Sequence, residues 1–211
     1  GTPLVAFSVN SASSNCAILL ARLLKTMAPR IYVLFGGPDC FRAERGLAML
    51  DEPAVDAICT GEGDLVWGPF LDAFAVYGPT VDVAGFCYRR GNTVVDRGDP
   101  PIATDLDALP EADFSGCDFS RYTLTNRLCM MTSRGCILRC AYCSEGENFL
   151  RYRHRSPESL VREVESHMDM LRRASRQRPH INFSDSLING RPELLERFCD
   201  LVAARGIDFS W

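Results

Sequence analysis

The sequence predicts an α/β fold built on parallel sheets. Short apolar runs alternate with amphipathic helical segments in both halves of the chain, and glycine-rich turns follow several of these runs. The composition agrees, because 46% hydrophobic and 24% charged residues are typical of a globular protein and exclude a disordered or fibrous one. With 211 residues, the chain has room for one ordinary domain or for parts of two.

The first half of the chain predicts a sheet with helices between its strands. Strands are predicted at 4–9, 31–35 and 55–59, and helices at 16–27, at 42–50 and after Asp64. A hairpin is predicted at 84–96, since a turn containing Gly91 separates two β-rich runs. Three strands are few for a doubly wound sheet, so residues 1–82 are expected to form part of a larger domain.

The second half repeats the alternation after a linker. Residues 97–127 are rich in Asp and Pro and lack periodicity, so the hairpin and linker are assigned together to 83–127. The remaining residues, 128–211, predict a second α/β domain. Its elements are a strand at 128–132, a cysteine-rich loop, a helix at 157–175 with Ser156 as N-cap, a strand at 181–183, a helix at 192–205 and a strand from 207.

Charge and apolar runs limit the classes of partner. The net charge is −4 and no basic block stands out, so nucleic acid is not an expected partner. The apolar run 16–24 is interrupted by Arg22 and is shorter than the ~20 residues that a membrane helix needs. The N-terminus does not resemble a signal peptide. We therefore expect a soluble, cytoplasmic chain, whose reducing compartment favours metal binding or catalysis for clustered cysteines.

Three of the ten cysteines are clustered. Cys136, Cys140 and Cys143 lie at spacings of four and three residues directly after a predicted strand, so their thiolates can converge on one soft metal centre. Three thiolates favour a cluster with one iron that has no protein ligand, because a structural zinc site has four closed ligands. A zinc site that uses His154 or Cys129 as a distant fourth ligand is the alternative.

This motif resembles the CxxxCxxC motif of the radical SAM superfamily. The likeness includes the aromatic Tyr142 before the last cysteine, the lead-in 132–135 and the run 152–158 that opens the next helix. The resemblance implies that the three cysteines bind a [4Fe-4S] cluster whose fourth iron is chelated by S-adenosylmethionine. It also implies a partial (β/α)6 barrel, reductive cleavage to a 5′-deoxyadenosyl radical, and an electron donor such as flavodoxin or ferredoxin.

The following strand end resembles the family's second-strand motif. That motif covers 183–189 here, and the resemblance implies that Tyr142, Asp185 and Asn189 contact S-adenosylmethionine. Alternatively, Asp185 and Asn189 only turn the chain before the helix at Pro192.

The first half resembles the Rossmann-like cobalamin-binding domain that precedes many radical SAM cores. The resemblance rests on Phe35-Gly36-Gly37-Pro38, on Cys59-Thr60-Gly61-Glu62-Gly63-Asp64 and on the loop 8–15. It implies cobalamin contacts from Ser8, Gly36, Gly37, Gly61 and Glu62, since glycine lets the backbone approach a large planar ligand. Cys40 follows Gly-Gly-Pro and is also a candidate to face the corrin. A purely structural Rossmann-like domain is the alternative.

Together, the resemblances imply a cobalamin-dependent radical SAM enzyme, methyltransferase-like, that methylates an unactivated carbon of a peptide or small natural-product intermediate. The alternatives are a radical SAM enzyme of another reaction type, such as ring formation, rearrangement, redox chemistry or methylthiolation, and a non-catalytic iron-sulfur or zinc module. The family's DxHxxG motif does not occur in this sequence, and we expect it and the later barrel units to lie outside the 211 residues.

Some remaining polar residues have weaker predictions. His167, on a predicted helix, is interpreted as a surface or boundary residue. Arg151, Arg153 and Arg155 alternate before the same helix and either meet a carboxylate or phosphate or form a solvated basic turn. The scattered cysteines are interpreted mainly as small buried apolar residues.

Overall fold

The computed structural model describes residues 3–41, 43–79, 82–149 and 151–211, without the side chains of 43–45 and 147–148. The chain divides into two compact units, Gly1–Ala103 and Thr104–Trp211, and each is described by itself. Within the described residues, no helix is both long and apolar enough to cross a membrane.

The first unit contains a five-stranded sheet with the order β1-β2-β3-β4-β5. Its strands are β1 (Leu4–Ser8), β2 (Tyr32–Gly36), β3 (Ala57–Cys59), β4 (Phe86–Arg90) and β5 (Thr93–Asp96). The first three are parallel, and β4 and β5 are antiparallel additions. The helices are α1 (Ser14–Met27), α2 (Ala43–Met49) and α3 (Trp67–Tyr77), with a 3₁₀ turn at Pro38–Cys40.

Both faces of this sheet are covered, as the alternation of side chains along β2 requires. Val33 and Phe35 pack in one apolar cluster with α1, whereas Leu34 packs in a second cluster with Phe70 and Phe74 of α3. The predicted strands and helices of this half are therefore confirmed. The third helix begins at Trp67 with Val66 as its N-cap, so it starts later than a helix for which Asp64 would be the cap.

The predicted hairpin joins the first sheet. Strand β4 pairs antiparallel with β3, with Ile58 opposite Cys87, and buries Phe86 and Tyr88. The hairpin therefore belongs to the first sheet and not to the linker 83–127, with which the sequence groups it. Spacing alone does not reveal the pairing, which follows from the apolar side chains that β4 presents to α3.

The second unit contains two small sheets. Strands β6 (Arg127–Met130) and β9 (His180–Phe183) are parallel neighbours, and the short strands β7 (Ser133–Arg134) and β8 (Arg153–His154) are antiparallel. The helices are α4 (Glu145–Asn148), α5 (Pro157–Ala174) and α6 (Pro192–Ala204), with a 3₁₀ turn at Phe119–Arg121. The strand predicted from 207 is reduced to one parallel bridge between Ser210 and His180.

One face of the β6–β9 pair is packed and the other is open. Leu128, Met130 and Ile181 lie in the core of α5 and α6, whereas Cys129 and Asn182 are exposed on the opposite face. Ser156 caps α5 by accepting a hydrogen bond from the Ser159 backbone N–H at 3.1 Å, as predicted. The predicted α/β class with parallel strands is confirmed, although the described residues form no closed barrel.

Candidate cofactor sites

The glycine-rich turns of the first unit line one cavity. Because β1, β2 and β3 are parallel, their carboxyl ends meet at one edge of the sheet. A cavity of about 630 Å³ lies at this edge and is mainly apolar. Its lining includes Ser8, Gly36, Gly37, Gly61, Gly63, Cys59, Asp64, Phe41 and Trp67. Four of the five residues predicted to contact cobalamin therefore face one space, whereas Glu62 is buried beside it.

Close backbone approach explains the glycine at position 37. Gly37 has φ of +96°, and a Cβ there would lie 2.8 Å from both the Ser8 Oγ and the Val9 carbonyl oxygen. The Val9 backbone N–H donates to the Gly36 carbonyl at 2.7 Å, which holds the ends of β1 and β2 together. A side chain at position 37 would push these two strand ends apart.

Three cysteines are buried in this unit. Burial raises the pKa of Cys40, Cys59 and Cys87 to about 12 in each case. All three are therefore neutral thiols near pH 7 and pack as small apolar residues. Cys59 lines the cavity, and Cys40 is fully buried in the neighbouring core cluster.

The cysteine motif of the second unit forms a surface loop. Cys136 is half-buried, and Cys140 and Cys143 are exposed. The Leu138 backbone N–H donates to the Cys136 Sγ at 3.4 Å, and the Cys143 backbone N–H donates to the Cys140 carbonyl at 3.0 Å. Tyr142 is 92% exposed. The loop therefore presents its thiols toward solvent rather than into a core.

The base of this loop is narrow and constrained. Strands β7 and β8 pair just before and just after it, with Arg134 opposite Arg153. Gly135 has φ of +79°, and a Cβ there would lie 2.8 Å from the carbonyl oxygen of Arg151. Glycine is therefore required where the two arms of the loop meet.

The donor set fits a cluster better than it fits zinc. Among the described residues, no three His, Cys, Asp or Glu side chains lie close enough to hold a metal ion as they stand. Three thiols on one exposed loop are nevertheless the ligand type that iron-sulfur clusters use, and the N–H donated to the Cys136 sulfur is of the kind that stabilises a bound thiolate. Cys129, one of the fourth ligands considered for zinc, instead lies beside Asn182, whose Nδ2 is 3.9 Å from its sulfur.

Asp185 and Asn189 follow β9, next to the end of β6. The Asp185 carboxylate accepts hydrogen bonds from Thr132 and Ser133, which lead into the cysteine loop. Asn189 is exposed. Thr132 and Ser133 belong to the lead-in 132–135, whose residues were not predicted to have a role of their own. The sequence does carry a signal for this contact. Two hydroxyl residues follow one parallel strand and an acidic residue follows the neighbouring strand, and such strand ends lie side by side.

Solved structures with the same fold are radical enzymes. The chain matches the cobalamin-dependent S-adenosylmethionine radical enzyme OxsB, whose structure was solved with aqua-cobalamin and S-adenosylmethionine bound. The TM-score is 0.74 and the sequence identity is 19%, and the match covers 95% of this chain and 28% of OxsB. It also matches the radical S-adenosylmethionine methyltransferase TsrM from Kitasatospora setae, whose structure was solved with tryptophan and a SAM analogue bound. Here the TM-score is 0.70 and the sequence identity is 16%, and the match covers 97% of this chain and 41% of TsrM.

Curated sequences also match the chain. An uncharacterized methyltransferase of Pyrococcus horikoshii is 26% identical over 76% of this chain and 36% of its own length. An anaerobic magnesium-protoporphyrin IX monomethyl ester cyclase of Synechocystis is 22% identical over 95% of this chain and 40% of its own length. No family model matches the chain. The chain thus spans well under half the length of these relatives, and the predicted resemblance to cobalamin-dependent radical SAM enzymes is confirmed.

Proposed function

We propose that this chain, which has the fold of cobalamin-dependent radical SAM enzymes, carries the cluster-binding loop and part of the cobalamin site of a methyltransferase acting on an unactivated carbon. The observation that carries the proposal is the loop with Cys136, Cys140 and Cys143 at the carboxyl ends of the parallel strands β6 and β9. The matches to OxsB and TsrM support it, because both enzymes are named as S-adenosylmethionine radical enzymes.

In this proposal each unit holds one part of the chemistry. The three thiolates hold the cluster, Tyr142 lies against the adenine, and Asp185 and Asn189 approach the polar groups of S-adenosylmethionine. When bound, the cluster and S-adenosylmethionine supply a 5′-deoxyadenosyl radical and cobalamin supplies a methyl group. The cavity at Ser8, Gly36, Gly37 and Gly61 takes part of the cobalamin, and Glu62 supports that turn from its buried position.

Metal analysis of oxygen-free protein tests the cluster assignment. We expect about four iron and four sulfide per chain, and loss of this cluster and of S-adenosylmethionine cleavage when any one of the three cysteines is changed to alanine. Cys117→Ala and Cys199→Ala are matched controls, because both residues are exposed cysteines of the same unit. Bound zinc without iron would contradict the proposal and support the non-catalytic module.

Ring formation is a second candidate reaction. The observation that favours it is the match, over 95% of this chain, to a protein named as an ester cyclase. Methyl transfer consumes S-adenosylmethionine as a methyl donor and leaves S-adenosylhomocysteine, whereas radical generation alone leaves methionine and 5′-deoxyadenosine. Turnover that produces 5′-deoxyadenosine without S-adenosylhomocysteine would therefore favour the cyclase type over the methyltransferase.

A further inference from the structure

The segment 185–190, here called the clasp, holds the cysteine loop at three places. Asp185 accepts hydrogen bonds from Thr132 and Ser133, just before the loop. The Ser186 hydroxyl donates to the carboxylate of Glu145, two residues after the last cysteine of the motif. The Tyr152 hydroxyl, at the end of the loop, donates to the Leu187 carbonyl at 3.3 Å. One short segment after β9 therefore contacts both ends of the loop and a point between them.

Asp185 makes the largest number of these contacts. Its Oδ1 accepts from the Thr132 backbone N–H at 2.9 Å and hydroxyl at 2.8 Å, and from the Ser133 backbone N–H at 2.5 Å and hydroxyl at 2.7 Å. Its Oδ2 has one longer contact, 3.2 Å from the Thr132 nitrogen. Four donors exceed the lone pairs of one oxygen, so Oδ1 is fully used by the protein and only Oδ2 remains for a ligand.

Tyr152 extends this network to the far end of the loop. Its ring lies on Gly190, where a Cβ would be 2.6 Å from the Tyr152 Cζ. The Ser133 hydroxyl also lies 3.4 Å from the Leu187 carbonyl that accepts from Tyr152, so the residue before the loop and the residue after it meet at one carbonyl of the clasp.

We propose that Asp185 is a positioning residue, which fixes the start of the cysteine loop through Thr132 and Ser133 and its end through the Leu187 carbonyl that Ser133 and Tyr152 share. In this role its Oδ1 belongs to the loop, and any contact with S-adenosylmethionine is made by Oδ2. The proposal deepens the proposed function, since it assigns the residue that holds the cluster loop in place, and it rests on that function only for the identity of the metal.

Amide hydrogen exchange of the metal-free protein tests the positioning role directly. The Thr132 and Ser133 amides donate to Asp185, so Asp185→Ala should speed their exchange about tenfold, and that of the loop up to Tyr152 with it. Asp185→Asn should restore part of the protection, because its amide oxygen still accepts hydrogen bonds. Asp208→Asn is the matched control, since Asp208 is an exposed carboxylate of the same unit that pairs with Arg178 at 2.5 Å.

A double-mutant cycle separates positioning from direct ligand contact. If Asp185 acts through Ser133, then Ser133→Ala should loosen the same loop, and the double variant should lose less protection than the two single variants added together. If Asp185→Ala fails to fold, as judged by exchange in α5, Ser133→Ala and Thr132→Val provide the same test. Loop exchange within about twofold of wild type in the folded variants would overturn the proposal.

Iron loading then distinguishes this inference from the proposed function. In the wild-type protein, failure to take up iron would defeat the cluster assignment and leave the exchange result intact. If wild type loads iron, Asp185→Ala should load it incompletely or give an altered electron paramagnetic resonance signal in the absence of S-adenosylmethionine. A variant that loads normally and loses only S-adenosylmethionine affinity would show that Asp185 acts as a direct ligand and would contradict positioning.

Discussion

At the residue scale, the ten cysteines divide by exposure rather than by spacing alone. Three are buried in the first unit, and the other seven are exposed or half-buried. The prediction that scattered cysteines are mainly buried is thus wrong for Cys16, Cys117, Cys129 and Cys199. Cys129 and Cys199 follow the buried residues Leu128 and Phe198 by one position, which turns them to the open side of their strand and helix.

This division predicts a pattern of thiol reactivity. At about pH 8, iodoacetamide should modify Cys136, Cys140 and Cys143 in the metal-free native protein and leave Cys40, Cys59 and Cys87 unmodified, because the reactive species is the thiolate and burial raises the pKa of the latter three to about 12. Peptide mass spectrometry measures the extent at each site.

Loading with iron should then protect the three motif cysteines selectively. Cys117 and Cys199 should stay reactive in both states and serve as internal controls, because they are exposed and lie outside the motif. Equal modification of Cys140 and Cys199 in iron-loaded protein would argue against the motif as the cluster site.

At the element scale, α5 holds a buried charged network in which Arg155 meets carboxylates, one of the two alternatives that the sequence left open for this arginine. Glu163 pairs with Arg155 and accepts a hydrogen bond from the His167 Nε2 at 3.3 Å. His167 is 2% exposed, so its interpretation as a surface or boundary residue is wrong. Arg155 also donates to the Ser159 hydroxyl at 2.9 Å and lies 3.8 Å from the carboxylate of Asp107. The network therefore connects the linker to the helix.

The network predicts acid-sensitive stability. Burial pushes the pKa of Glu163 upward, but hydrogen bonds from His167 and Arg155 and their charges together lower it. A carboxyl whose pKa is lowered by folding stabilises the protein above its unfolded pKa, about 4.3 for Glu, and this contribution is lost as the pH falls through the folded pKa. Glu163→Gln should lower the free energy of unfolding by about 3 kcal/mol near pH 7 and flatten its dependence below about pH 5.

Denaturant unfolding between about pH 3 and pH 7 measures this dependence. Glu165→Gln is the matched control, because Glu165 lies on the same helix in an exposed pair with Arg205 at 2.7 Å and should contribute at most about 1 kcal/mol. Parallel stability curves for wild type and Glu163→Gln would contradict the role assigned to the network.

The helices and strands could be predicted from the sequence, but the strand pairings and side-chain contacts between them could not. Apolar periodicity gave the strands β2, β4 and β9 and the helices α1, α5 and α6, because burial of one face is a local property of the sequence. The addition of β4 to the first sheet and the Arg155–Glu163 pair depend on which segments meet after folding. The site divides in the same way: the cysteine spacing indicated a metal centre, whereas the link from Asp185 to Ser133 spans 52 residues and required the structure.

At the scale of the whole molecule, the two candidate cofactor sites belong to different units. The glycine-lined cavity is built within Gly1–Ala103, and the cysteine loop and its clasp are built within Thr104–Trp211. Each unit has its own apolar core. The two sites should therefore be lost independently, because a change in the packing of one core leaves the contacts that form the other site in place.

Two variants test this independence. Gly63 lines the cavity, has no positive φ, and has no atom within 4 Å of a Cβ built on it, so Gly63→Leu fills space without straining the backbone. It should weaken cobalamin binding about tenfold or more, which requires a loss of only about 1.4 kcal/mol, and leave iron content unchanged. Cys140→Ala should abolish the cluster and keep the corrinoid absorbance. Gly116→Leu, at an open position of the second unit, is the control and should change neither. Loss of both cofactors in either test variant would contradict the independence of the two sites. Normal cobalamin binding by Gly63→Leu would show that the corrin does not bind in this cavity.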